Sequence, residues 1–169
     1  MPYYRFTIRT PLSPELALAR IATLLRPPPD WYTQWREGFT RRPPDAPPFL
    51  GHVQGNEFRL QRDIRYRNSF LPRLHGRVLP AAQGAEVCIE LRLHPLTAIF
   101  MGIWLSIAAG FLLLALSGPD ADGIRFVLGG LFGFGILLVG LGFYPEAFKA
   151  RRLLEQALQA AHERRPGPR

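Results

Sequence analysis

The chain has 169 residues, a formal charge of +8 and one cysteine. The lone Cys88 excludes an internal disulfide and a cysteine-built metal site, and the length leaves one modest domain once two long apolar runs are set aside. Twenty Arg beside one Lys, with abundant Pro and Ala, fits a GC-rich bacterial genome, and the start MPYYRFTIRT has no continuous apolar stretch of the signal-peptide kind.

Tyr4, Phe6 and Ile8 alternate with Arg5, Thr7 and Arg9, the period of a strand with one apolar face. A helix is predicted next. Ser13 is a suitable N-cap, Pro14 suits the first helical position, and Glu15 favours the positive end. Ala17, Ile21 and Leu24 form its apolar stripe, with Leu18 and Leu25 alongside, and Pro27 to Pro29 stop it. Residues 27–48 form a Pro-rich loop containing Trp31, Trp35 and Phe39 at spacings of four. One short helix would line these aromatics on one side, either covering the domain's own core or lying at headgroup level beside Arg36, Arg41 and Arg42.

From Phe49 to His94 the signals are of β type. Gly55-Asn56 marks a turn before the alternating run Phe58, Leu60, Arg62, and His75 to Leu79 read as a further strand. Pro80 to Gly84 reads as a turn, after which Val87, Ile89, Leu91 and Leu93 alternate with Cys88, Glu90, Arg92 and His94. This last strand runs into the first apolar stretch through Pro95.

The apolar runs, Leu96 to Ser117 and Phe126 to Tyr144, contain no charged residue. As helices they measure roughly 33 and 28 Å, and a hydrocarbon core is about 30 Å thick. A soluble core helix of this length normally keeps a polar face, so the pair reads as a membrane hairpin joined by the turn SGPDADGIR, with spans at about 96–117 and 125–144. Within them Gly102, Ser106 and Gly110 form one small-residue row and Gly129 and Gly133 another, with Gly140 a heptad beyond. Small residues let backbones approach closely, so these rows are expected to pack the two spans on each other, with homodimerisation as the second role. Pro145 is expected to separate the second span from an amphipathic helix carrying Ala147, Arg151, Leu154, Leu158 and Ala161.

The expected fold is therefore α+β: a small antiparallel sheet with flanking N- and C-terminal helices plus a two-helix transmembrane hairpin. Residues 1–94 form a cytoplasmic domain and 95–144 the hairpin. Residues 145–169 form a helix that either packs on the same sheet or lies on the bilayer. This element order resembles the helix-grip folds, and that resemblance implies a site for lipids or other hydrophobes. Residues 1–94 hold 14 Arg against 8 acidic residues, and the tail after Pro145 holds 6 basic against 3 acidic. By the positive-inside rule both termini face the cytoplasm and the Asp120/Asp122 turn lies outside. Trp31, Trp35, Phe39, Arg125, Lys149, Arg151 and Arg152 are the expected membrane-interface residues.

The densest polar stretch is QRDIRYRNSFLPRLHGR, residues 61–77. Arginine forks bind phosphate or carboxylate bidentately, which makes Arg62, Arg65, Tyr66, Arg67, Asn68 and Arg73 the candidate anion- or partner-binding set. The alternative is a solvated strand face, with Asn68-Ser69 in a turn and Phe70-Leu71 in the core. The RNSFLP segment, with the LRLHP strand before a two-span hairpin, resembles uncharacterised small bacterial membrane proteins over about residues 50–105. The resemblance implies this architecture and no chemistry.

His52, His75, His94 and His162 lack zinc spacing, and no nucleophile-elbow or phosphate-loop motif stands between a strand and a helix. A catalytic pair would have to be made by the fold, as by His75 with Asp63. No cofactor is expected. Membrane lipids, a protein partner and a second copy are the expected partners, and anionic headgroups are a nearer counter-charge than nucleic acid. The expected function is a non-enzymatic adaptor or scaffold of the bacterial inner membrane. The alternative is a lipid- or hydrophobe-binding module.

Overall fold

The structure, a computed structural model, describes residues 2–27, 46–64, 66–118 and 122–163, with side chains to Gln159. Trp31, Trp35, Phe39 and Arg65 lie outside the described residues. The alternation at the N-terminus forms β1 (Tyr3–Thr10), and Ser13 caps α1 (Pro14–Thr23) by accepting from Leu16 N at 3.4 Å. After β2 (Leu25–Arg26) come β3 (Phe49–Gln54), β4 (Glu57–Arg62), β5 (Arg73–Ala81) and β6 (Gly84–Arg92). The strands lie in the order β1-β6-β5-β4-β3-β2. All neighbours are antiparallel except β2 and β3, so the sheet is mixed rather than wholly antiparallel.

Three boundaries differ from those read in the sequence. The first helix ends at Thr23, before the prolines, because Leu25 leaves its expected stripe to pair with Phe49 as β2. The turn between β5 and β6 is only Ala82-Gln83, because Pro80 and Ala81 stay in register with Ala85 and Gly84. Pro80 sits near the strand end, where a missing N–H disturbs the ladder least. Pro145 does not end the second apolar helix. After α2 (Pro95–Ser117), α3 runs unbroken from Asp122 to Glu163 with Pro145 inside it. Proline removes the donor to the carbonyl four residues earlier, Leu141, but the helix is packed into the core on both sides of it, at Val139 and Phe143 before and Ala147 and Ala150 after, which carries it through. At 42 residues α3 is about 63 Å long.

The sheet has one covered face. Val87, Ile89 and Leu91 of β6, Leu74 and Val78 of β5 and Phe58 of β4 are each no more than 1 % exposed. They meet Ala17 and Ile21 of α1 and a stripe on α3 at Phe143, Ala147, Ala150, Leu154 and Leu158, all 0 % exposed. Each of the Val, Leu, Ile and Phe side chains among them contributes about 1.5–3 kcal/mol by leaving water. The C-terminal part of α3 thus packs on the sheet beside α1, and Thr10 Oγ1 donates to Leu158 O at 3.4 Å.

Both α2 and the start of α3 are long and apolar enough to cross a membrane, and most of their large side chains point outward. They touch each other through Met101, Trp104, Leu105 and Ala108 on α2 and Gly135 and Val139 on α3. The small-residue rows contribute little to that contact. A Cβ on Gly110 or Gly133 would meet nothing within 4 Å, and one on Gly129 would meet only Leu112 Cδ1 at 4.0 Å. Ser106 is exposed, its hydroxyl turned back to Gly102 O at 2.8 Å. The glycine that matters is Gly135, where a Cβ would overlap the Trp104 ring. Bulk, rather than mutual smallness, sets the crossing: tryptophan on one helix fills the space that glycine leaves on the other.

Gly135→Ala is therefore expected to destabilise the hairpin by about 1–3 kcal/mol, whereas Gly133→Ala leaves it unchanged or slightly steadier. Thermal unfolding of both variants in mild detergent checks this, and equal midpoints would contradict the packing described.

Candidate functional site

The β4–β5 loop, residues 63–72, lies at the foot of the apolar hairpin. Arg62 continues the inward phase of Phe58 and Leu60, so a guanidinium points where the core side chains point. Glu146 stands in phase with Phe143, Ala147 and Ala150 on the covered face of α3 and is 2 % exposed. A carboxylate so deeply placed must be neutralised. Arg62 Nη1 bonds its Oε2. Tyr66 Oη donates to Oε1 at 2.6 Å, and Lys149 Nζ does so at 3.1 Å from the next turn of α3.

The rest of the loop is fastened to both apolar helices. Asn68 Nδ2 donates to Gly142 O at 2.8 Å, while its Oδ1 accepts from Phe70 N at 2.9 Å. Gly142 lies three residues before Pro145, where the proline ring crowds the preceding turn, so the side-chain amide supplies a donor where the helix is weakened. The Phe70 side chain then settles on the bare glycine, and a Cβ at 142 would stand 2.7 Å from Phe70 Cβ. On the other helix, Thr97 Oγ1 donates to Ser69 O at 3.1 Å. His94 caps α2 by accepting from Leu96 N at Nδ1, 3.1 Å. The loop thus fastens the sheet to both arms of the hairpin.

Of the candidate anion-binding set, Arg62, Tyr66 and Asn68 are engaged within the chain. Arg67 and Arg73 are exposed. Phe70 and Leu71 are covered, as the alternative reading expected. His75 lies on the outer face of β5 with Nε2 3.5 Å from Glu57 Oε2. Among the expected interface residues, Arg125 reaches back across the hairpin turn, its Nε donating to Ala115 O at 2.9 Å, and so supplies a cation at the C-terminal end of α2. Arg151 donates to Tyr4 Oη and Glu155 Oε1, both at 2.7 Å, and lies over the Phe6 ring. Lys149 serves Glu146, and Arg152 is exposed.

Sequence reasoning passed over Glu146, Gly142, Thr97 and Phe70 as a unit. Two signals were present: an arginine in the inward phase of a strand, and a glutamate in the apolar phase of a helix. Comparison with protein-family models, curated proteins and solved structures finds no match to the chain.

Removing Glu146 leaves Arg62, only 17 % exposed, without its counter-charge. Glu146→Ala is expected to cost about 3 kcal/mol or more, and the double variant Glu146→Leu, Arg62→Met much less. Chemical unfolding of the two measures the difference. The Tyr66 phenol titrates above its ordinary value, chiefly because it donates to the Glu146 carboxylate, with burial and the carboxylate's charge adding and Arg62 opposing. A raised folded-state value means that the stability it contributes is complete below about pH 10 and is lost as pH rises through the folded value. Tyr66→Phe is expected to abolish that alkaline step, which unfolding followed across pH 9 to 12 reads directly.

Proposed function

We propose that the chain is a non-enzymatic scaffold of the bacterial inner membrane, spanning it twice with both termini cytoplasmic and offering its open sheet face to an acidic protein partner. The observation that carries this reading is the asymmetry of the sheet. Both packed helices lie on one face, and no described helix covers the other. That open face is a regular array: His52, Arg59, His75, Glu90 and Arg5 stand side by side across five strands, and Gln54, Glu57, Arg77, Cys88 and Thr7 form the next row.

The array also has a vertical order of charge. Glu57 and Glu90 side chains are 33 % and 29 % exposed, whereas those of Arg77, Arg5 and Arg92 are 57 %, 60 % and 68 % exposed. Arg77 covers Glu57, and Arg92 Nη2 lies 2.7 Å from Glu90. The acids sit low and orient the arginines, while the guanidinium groups stand outermost. A partner meets positive charge held in fixed places, the arrangement that steers an acidic surface and sets its register.

The alternative, a helix-grip-like module with a ligand between helices and sheet, finds less support. Phe49, Phe58, Leu74, Ile89 and Leu91 already fill that space at 1 % exposure or less. The clasp around Glu146 suits a scaffold, because it ties the orientation of the sheet to that of the hairpin.

For the topology, Asp120→Cys in intact cells is expected to react with an impermeant thiol reagent from outside; absence of labelling at normal expression would overturn it. For the partner, native mass spectrometry after mild extraction is expected to show a stoichiometric protein companion that Arg59→Glu with His75→Glu releases. A companion held equally by the charge-reversed chain would overturn the sheet face as the docking surface, and a lipid retained between helices and sheet with no companion would move the reading to the pocket module.

A further inference from the structure

One row of the outer face is electrostatically incomplete. Register places Gln61 beside Arg73, Arg73 beside Arg92, and Arg92 beside Tyr3. Directly opposed side chains on one face of an antiparallel pair have Cβ atoms about 5 Å apart, and like charges so placed repel. Arg92 is partly balanced by Glu90 and by the Tyr3 ring, 5.5 Å below its guanidinium. Arg73 is exposed and makes no ion pair among the described residues. Arg5 and Arg77, by contrast, each have a carboxylate within 4 Å. The sheet keeps two arginines side by side where one carboxylate serves only one of them.

This row is also the one nearest the apolar hairpin. Arg92 ends β6, and α2 begins three residues later at Pro95. Arg73 begins β5, just after the loop whose Asn68 and Phe70 touch Gly142.

We propose that Arg73 and Arg92 form a binding site for the phosphate of an anionic lipid headgroup, with Gln61 and Tyr3 as its flanking polar and aromatic edges. The proposal rests on the reading that α2 crosses the bilayer. Two adjacent guanidinium forks match the several acceptor oxygens of one phosphate, which turns their mutual repulsion into a shared attraction. Free phosphate offers the same oxygens, but a row three residues from the hairpin stands at headgroup height, where anionic lipid is concentrated. The site adjoins the acidic-partner surface at Arg92, and the two other rows of that surface lie farther from the hairpin.

The test uses the full chain in a neutral mild detergent, with thermal unfolding followed as phosphatidylglycerol, phosphatidylcholine or inorganic phosphate is titrated. Phosphatidylglycerol is expected to raise Tm more than phosphatidylcholine or inorganic phosphate. In Arg73→Gln its apparent affinity is expected to fall about five-fold, as for the loss of one basic residue near an anionic surface. Arg92→Gln is expected to weaken the response similarly. Arg9→Gln, on the same face but at the far end of β1, is expected to keep it. Without lipid, Arg73→Gln is expected to unfold at or above the wild-type temperature, because one of two opposed like charges is gone; a merely structural arginine would give a lower Tm. An unchanged phosphatidylglycerol response in Arg73→Gln overturns the site. Stabilisation by inorganic phosphate with no further effect of lipid overturns the lipid assignment. Failure of the membrane reading would be seen separately, as a chain recovered from cells without detergent.

Discussion

The structure depends on one carboxylate that has no business in an apolar place unless it is fully answered. Glu146 occupies the covered face of α3 where the apolar stretch meets the sheet, and three donors converge on it from β4, from the following loop and from its own helix. Buried ion pairs add little to stability compared with well-packed hydrophobes, but they penalise every arrangement in which a partner is missing. Here that penalty selects the position of the loop. Once Arg62 and Tyr66 are committed to Glu146, Asn68 and Phe70 are carried onto Gly142, and Ser69 onto Thr97. Electrostatics fixes the register, and close packing of an aromatic side chain on a bare backbone completes it.

The same logic explains why α3 survives its proline. A proline within a helix weakens the turn before it, and an isolated helix would bend or break there. In this fold the weakened turn is also the turn that the loop grips, so the lost internal bond is set against contacts from outside the helix. The hairpin and the sheet consequently share one continuous core, in which Met101 and Val139 belong to the same buried cluster as Phe6 and Leu158.

Elements governed by local pattern were legible in the sequence. The alternations around Phe6 and Ile89, the Ser13-Pro14 helix start, the Gly55-Asn56 hairpin and the first apolar run each reappear within a residue or two, while the helix holding the second run continues past Pro145. Features set by a distant partner were not. Glycine spacing shows that backbones can approach, but whether Gly133 or Gly135 faces the other helix depends on where Trp104 lands. Locally the arginine-rich stretch has the pattern of a surface feature, because nothing in it shows that the counter-charge for Arg62 lies 84 residues away. Phase held the missing information: Arg62 and Glu146 each break an otherwise apolar inward series, and two such breaks of opposite sign in one small domain are natural partners.

The division of the core between two distant stretches of chain has a consequence for how the protein is made. The inner face of the sheet is complete once β6 leaves the ribosome, but its main cover, Phe143 through Leu158, is translated only after both apolar helices. Until then Ile89, Leu91 and Phe58 have little beyond α1 to shield them, and an unshielded sheet of this kind is prone to aggregate. Both apolar helices therefore have to emerge before the domain closes, and the second of them carries the covering segment back to the waiting sheet. Placement of the apolar helices and closure of the domain thus become one ordered event.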